Sequence, residues 1–340
     1  LRTAREVAAL AGRDAAAGAL QGYLAIQQAL SAIDRLEVRG RDSAGLHVFV
    51  SAHDLDHSDP SIAAEVRDRG QDPTFQSGSV RRAAGVLSFV YKAAAEIGEL
   101  GDNTRALRAA VAGDDLLRRV FAAPSARVAV LGHTRWASVG IISEPNTHPL
   151  NSDEMERSPS MGEAPYVVAA LNGDVDNHAD LRSTHGLGIH HHITTDAKVI
   201  PTLMSRHAES GLDPTEAFRR TVAAFEGSVA IGAMSAADPD TMLLALAGSG
   251  QGLYVGLADD CFVAASEPYG VVEETNRYLR LDGEHGGEIV ALDASLAGEL
   301  AGVRRYAYDG AELPVAESDV VVAEVTTRDI DRGTAPHFLL

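Results

Sequence analysis

Cysteine is almost absent from the chain. Its 340 residues contain one, Cys261, which excludes an intramolecular disulfide and any cysteine-based zinc cluster. Lysine is nearly as scarce, standing only at Lys92 and Lys198, so that nearly all basic residues are arginine. With alanine so abundant, that bias reflects coding composition rather than function. Basic residues number 29 against 48 acidic ones, a formal charge of −19 at pH 7. Such a balance argues against nucleic acid and anionic membranes as partners, since both need a basic face, while leaving room for one local cationic pocket. No apolar stretch is long enough to span a bilayer. There is no Gly-x-Ser-x-Gly elbow and no pair of His ligands at helical spacing. The chain starts at Leu1, without an initiator Met or a signal-peptide pattern. The expectation is a cytoplasmic protein, cut or processed at its front.

What is present is a globular composition, 45% hydrophobic and 23% charged, with length for one large domain or two ordinary ones. Tyr23, Ile26, Leu30 and Ile33 recur at helical steps and predict an amphipathic helix ending near Leu36. Leu46, Val48 and Val50 predict one apolar face of a strand. Residues 53–79 read as a long exposed excursion, and Ala106 to Phe121 as one helix. Arg127 to Leu131 and Tyr166 to Leu171 read as buried strands. Asp213-Pro214-Thr215-Glu216 is a helix start, with a cap residue, Pro in the first turn and Glu three later. A second helix should run from Thr194–Asp196 through His207, kinked at Pro201. From Ser228 onward short strands follow one another, with a hairpin turn at Asp309-Gly310. Helices interleaved with strand pairs predict an α+β protein whose antiparallel sheets are covered by helices.

Chemistry-bearing residues concentrate where strands are expected to end. After Leu131 the chain carries His133, Arg135 and its one tryptophan, Trp136, into a loop broken by Gly140, Pro145 and Pro149. The planar fork of an arginine there suits a carboxylate, although an Arg stacked on Trp is equally in keeping with the stretch. Asn172-Gly173 offers a side-chain amide beside an unencumbered backbone N–H, a pair suited to an oxyanion. The same dipeptide is also a standard hairpin signal. Asp196, at a helix start, could hold an ammonium group or simply complement the helix dipole. Gly248 to Gly252 imitates a phosphate loop but opens no helix, and reads as a hairpin turn. His190-His191-His192 reads as surface histidines, because successive strand residues point to opposite faces and no second ligand cluster accompanies them. Cys261 begins an apolar strand and reads as a small hydrophobe. Neither a metal nor a cofactor is expected.

Together these stretches resemble the glutamine amidotransferases of class II, which are N-terminal-nucleophile hydrolases. The resemblance runs from about Leu20 to Leu292. It rests on Arg39-Gly-Arg-Asp-Ser-Ala-Gly45, His133-Thr-Arg-Trp-Ala137, Pro145-Asn-Thr-His-Pro149, Asn172-Gly173 followed by Asn177-His178, and Thr194-Thr-Asp196. It implies a four-layer αββα sandwich of antiparallel sheets. It also implies glutamine as substrate, with Arg135 on its carboxylate and Asp196 on its ammonium. Asn172 and the Gly173 N–H would serve as oxyanion hole, and Trp136, Ser138, His148 and Arg39 would complete the binding set. Pro336-His-Phe-Leu-Leu340 resembles the linker into sugar-phosphate isomerase domains. That points to the branch passing ammonia to fructose 6-phosphate, a homo-oligomer through those domains. Residues 1–325 would then form the glutaminase domain, with a long insertion at about 53–122, and residues 326–340 the start of the linker. The family's nucleophile is an N-terminal Cys, and Leu1 is not one. The nucleophile-bearing first strand is therefore expected to be missing and the chain as given inactive. The rivals are the amidophosphoribosyltransferase branch and a glutamine-binding regulatory domain without catalysis.

Overall fold

The strand β1 (Ser43–Ser51) is buried at every position, which its Leu46, Val48 and Val50 alternation suggests for only one face. The strand's second face is covered too, with the His47 ring 5.2 Å from that of Phe75 and Gly45 against residues 147–148. β1 pairs antiparallel with β3 (Val86–Ala93) on one side and β4 (Arg127–Arg135) on the other. With β2 (Val80–Ala83) outside β3, these make a four-stranded sheet in the order β2-β3-β1-β4. The computed structural model describes residues 2–12, 15–37, 40–94, 99–136, 139–155 and 164–323. Arg39, Ser138 and the linker at 326–340 lie outside the described residues. The chain forms two compact units, Leu1–Ala137 with Ile141–Pro149, and Ser138–Gly140 with Leu150–Leu340.

In the first unit the helices α1 (Arg2–Ala11), α2 (Ala17–Leu36), α4 (Asp102–Ala112) and α5 (Asp115–Phe121) share one core with the sheet. Tyr23, Ile26, Leu30 and Ile33, the periodic face read from the sequence, are all buried there against Leu46, Val48, Leu87 and Phe89. Ala106 to Phe121 is not one helix. α4 ends at Gly113, and Asp114 caps α5 by accepting from Leu117 N–H. Residues 53–79 are not simply an exposed excursion either. They hold α3 (Pro60–Arg69), started by Asp59 with Pro60 in the first turn, and bury Ile62, Thr74 and Phe75. Residues 80–93 then supply two of the sheet's four strands.

The second unit is built on a seven-stranded antiparallel sheet. Its strands are β5 (Leu150–Asn151), β6 (Val167–Val175), β7 (Gly227–Ser235), β8 (Asp238–Ala247), β12 (Glu288–Asp293), β13 (Val303–Ala307) and β14 (Glu312–Leu313). Period-2 alternation divides its faces. Leu171, Val229, Ile231, Leu243, Ala245 and Ile289 pack with α6 (His178–Thr184), α7 (Val199–Glu209) and α8 (Pro214–Ala223). Ala230, Leu244, Leu246, Val290 and Leu292 face the other way. They pack with a second sheet of β10 (Phe262–Ala265), β9 (Tyr254–Leu257), β11 (Arg277–Arg280) and β15 (Val320–Val322). Gly248 to Gly252 is therefore no hairpin turn, because β8 and β9 belong to different sheets and the glycines carry the chain from one to the other. Asp213 caps α8 through Thr215 and Glu216 N–H, as its sequence predicts. Pro201 makes no kink. It falls in the first turn of α7, where its missing N–H breaks no helical bond, and a 3₁₀ turn, Asp196–Lys198, precedes it. The chain is thus α+β, with antiparallel pairing throughout the described sheets.

Candidate active site

In the first unit His133 to Arg135 sit on a paired strand rather than in a loop. β4 continues past Leu131, and Gly45 pairs with His133 and Ser43 with Arg135. The ladder is extended by Asp42 N–H donating to the Arg135 carbonyl at 3.1 Å, and the Thr134 hydroxyl donates to the Gly40 carbonyl. Gly45 has a steric reason to be glycine. A Cβ there would lie 2.4 Å from the His148 carbonyl oxygen, so the absent side chain lets the 146–148 segment lie on β1. That segment is buried and self-supported, with Asn146 Nδ2 donating to Ser143 Oγ and Thr147 Oγ1 to the Ser143 carbonyl, both at 2.9 Å. The His148 and His133 rings lie 4.8 Å apart. Arg135 is 3% exposed, and its Nη1 reaches the Ile141 carbonyl at only 3.5 Å. Trp136 follows at 67% exposure. The structure thus brings together Gly40–Gly45, His133–Arg135 and Asn146–His148, three stretches far apart in the chain.

In the second unit Asn172-Gly173 lies inside β6, which the sequence ends at Leu171. The ladder with β7 runs on through Asn172 opposite Ala230 and Gly173 opposite Val229 to Val175 opposite Gly227. Gly173 nonetheless has φ +112°, and a Cβ on it would stand 2.0 Å from the Ser228 carbonyl. Only glycine tolerates that conformation and contact. Two residues on, Val175 N–H donates to Asp196 Oδ2 at 2.8 Å, docking the 3₁₀ turn on the end of the strand. The Thr195 hydroxyl reaches Asp196 Oδ1 at 3.3 Å. Asp196 is 4% exposed, and no Arg or Lys among the described residues pairs with it. Burial raises its pKa above the usual carboxylate value, Val175 N–H opposes the shift, and the charge of Asp174 adds to it. This is a carboxylate kept from water, with the charge of His178 nearby also opposing the shift.

Lys198 was not singled out by its sequence context, although it is one of two lysines. It is 1% exposed, and its Nζ donates to the Asn151 carbonyl at 2.5 Å, to Asn151 Oδ1 at 3.2 Å and to the Asp153 carbonyl at 2.8 Å. Three acceptors satisfy a buried ammonium fully, and they tie residues 151–153 to the turn bearing Asp196. Lys198→Ala leaves those acceptors without their donor and is expected to destabilise the protein by about 2–4 kcal/mol. A urea melt of the variant checks this, and an unshifted midpoint contradicts it. Cys261 is half-buried mid-chain, where its carbonyl accepts from Ala258 N–H at 3.1 Å.

Comparison with known proteins decides the relationship. Over 211 residues, 62% of the chain, it is 30% identical to the glutamine–fructose-6-phosphate aminotransferase (isomerizing) of Streptococcus pneumoniae serotype 4 (strain ATCC BAA-334 / TIGR4). Over 210 residues it is 29% identical to the Staphylococcus aureus (strain Mu50 / ATCC 700699) enzyme of the same name. The chain is a homologue of these aminotransferases. It spans about a third of their length, 31% of each. No protein-family model matches the chain. Among solved structures, its fold is shared with an allosteric regulatory enzyme of purine biosynthesis, at a TM-score of 0.52 and 18% identity over 83% of this chain and 46% of the other. No described helix is long and apolar enough to cross a membrane.

Proposed function

We propose that this chain is the glutaminase region of an enzyme like its aminotransferase relatives, hydrolysing glutamine to glutamate and ammonia for transfer to fructose 6-phosphate. The observation that carries this reading is Asp196, a buried carboxylate that no Arg or Lys among the described residues pairs with, docked by Val175 at the end of the strand bearing Asn172 and Gly173. Asp196 takes the substrate's α-ammonium. Asn172 and the Gly173 N–H stabilise the oxyanion of the tetrahedral intermediate. In the first unit Arg135 takes the α-carboxylate, with His148, Trp136, Arg39 and Ser138 completing recognition. No metal or cofactor enters this chemistry.

The finer architecture belongs to the same proposal. Residues 1–325 form one glutaminase domain with the four-layer αββα sandwich of N-terminal-nucleophile hydrolases. Its support is that each unit lays helices on one face of an antiparallel sheet. The remaining length of the relatives leaves room for sugar-phosphate isomerase domains reached through residues 326–340, with assembly into a homo-oligomer, in the cytoplasm. A second reading is glutamine binding without hydrolysis. Cys261 has a peptide-bonded nitrogen, so it is not itself a nucleophile with its own α-amine as base.

The test is glutamate and ammonia release from glutamine by the gene product carrying this sequence, with and without fructose 6-phosphate. Release that survives Cys261→Ala and yields glucosamine 6-phosphate is expected. Glutamine binding without any release establishes the second reading instead.

A further inference from the structure

The turn at residues 190–193 gathers three imidazoles. A strand would send neighbouring side chains to opposite faces, but here Ile193 N–H donates to the His190 carbonyl at 2.9 Å and closes a turn. Ring centroids lie 4.4 Å apart for His190 and His191, 4.1 Å for His191 and His192, and 4.9 Å for His190 and His192. One ring nitrogen of each lies within 4.8 Å of the other two. We propose that His190, His191 and His192 form a site for a divalent first-row transition-metal ion, zinc foremost.

The backbone under the rings is fixed, because Ile189 and Ile193 on either side are buried in the core of the second unit. The rings of His191 and His192 are exposed, with room to turn about their side-chain bonds. Zinc takes imidazole nitrogen at about 2.0–2.1 Å, which puts neighbouring donors of a tetrahedron about 3.4 Å apart. Rotation of exposed side chains closes that gap without moving the chain. His190 Nδ1 now accepts from His192 N–H at 3.2 Å, a long bond that a metal on this nitrogen replaces. The donor set is all imidazole, which suits zinc, copper or nickel and not calcium or magnesium, whose ligands are oxygens. Among the described residues no other His, Cys, Asp or Glu joins the group, so water fills the remaining position.

The site lies on a consequential piece of chain. Thr194 follows the turn directly and packs on Gly140, which has φ +86° and where a Cβ would meet Thr194 Oγ1 at 2.9 Å. Asp196 is two residues beyond. A metal would pin the turn that leads into this segment, whatever small molecule Asp196 serves.

The test compares the tag-free gene product with His191→Ala/His192→Ala after dialysis against zinc chloride and then metal-free buffer. About one zinc per chain is expected in the wild type, with at least a tenfold loss of zinc affinity in the double variant. Saturating zinc is expected to raise the wild-type Tm by about 2–4 °C and leave the variant's unchanged. Circular dichroism of the zinc-free proteins should coincide, since both replaced side chains are exposed. Wild-type protein that retains no zinc, or a double variant that retains as much as the wild type, overturns the proposal.

Discussion

Asp114→Ala is expected to destabilise the first unit by about 3–5 kcal/mol, the cost of removing one partner of a buried ion pair and stranding the other. Asp114 accepts from Arg69 twice, Nη1 to Oδ1 at 2.9 Å and Nη2 to Oδ2 at 2.5 Å. It accepts further from the Tyr91 hydroxyl at 2.9 Å and from Leu117 N–H at 3.1 Å. One carboxylate thus joins α3, β3 and the start of α5. Burial opposes its ionisation, yet the hydrogen bonds from Arg69 and Leu117 outweigh burial and hold its pKa below the ordinary value. A depressed folded-state pKa means the contribution is fully present above the unfolded carboxylate value near pH 4 and is lost as pH falls through the folded one. Urea melts of the wild type and Asp114→Asn should therefore differ most at neutral pH and converge on acidification. A gap independent of pH would mean that the ionised carboxylate is not what holds these elements.

Much of this frame was legible in the residues, and the exceptions have physical causes. The face of α2 and the Asp213-Pro214 start of α8 were readable because periodicity and capping are local. The β2–β3 hairpin was not. Its turn is Ala84-Gly85, both at positive φ, with alanine where Asn or Gly gives the usual signal. β3 is buried on both faces, so no alternation marks it either. Asn172-Gly173 carries the opposite lesson, since the strongest hairpin dipeptide lies inside a strand whose partner β7 continues alongside. Gly248 to Gly252 misled because a turn's composition does not say whether the strands it joins share a sheet. At the candidate site, motif spacing singled out Arg135, Asn172, Gly173 and Asp196. Nothing local marked Lys198, whose role depends on carbonyls some 45 residues away.

Arg135→Ala is expected to weaken glutamine binding by about 2–5 kcal/mol, the loss of a desolvated, charge-assisted fork on a carboxylate. This is a factor of about 30 to several thousand in Kd. Arg135 is buried at the end of β4, so the wild type has already excluded the water that would compete for its donors. Asp196→Asn keeps the shape and an acceptor for Val175 N–H while removing the charge proposed to face the ammonium. It should weaken binding less than Arg135→Ala. Its effect on stability has the opposite sign. Burial raises the folded-state pKa of Asp196, so folding favours the neutral form and the ionised form costs stability at neutral pH. Asp196→Asn should therefore melt at the wild-type temperature or above while binding glutamine less well. The same shift predicts that wild-type affinity falls on acidification through a pKa above the ordinary carboxylate value.

Calorimetric titration at pH 7 of L-glutamine, with asparagine as the one-carbon-shorter control, into wild type, Arg135→Ala and Asp196→Asn tests the central claim most directly. Glutamine should bind the wild type and be preferred to asparagine, with affinity falling in the order wild type, Asp196→Asn, Arg135→Ala. Glutamine binding by Arg135→Ala as tight as that of the wild type would contradict the account.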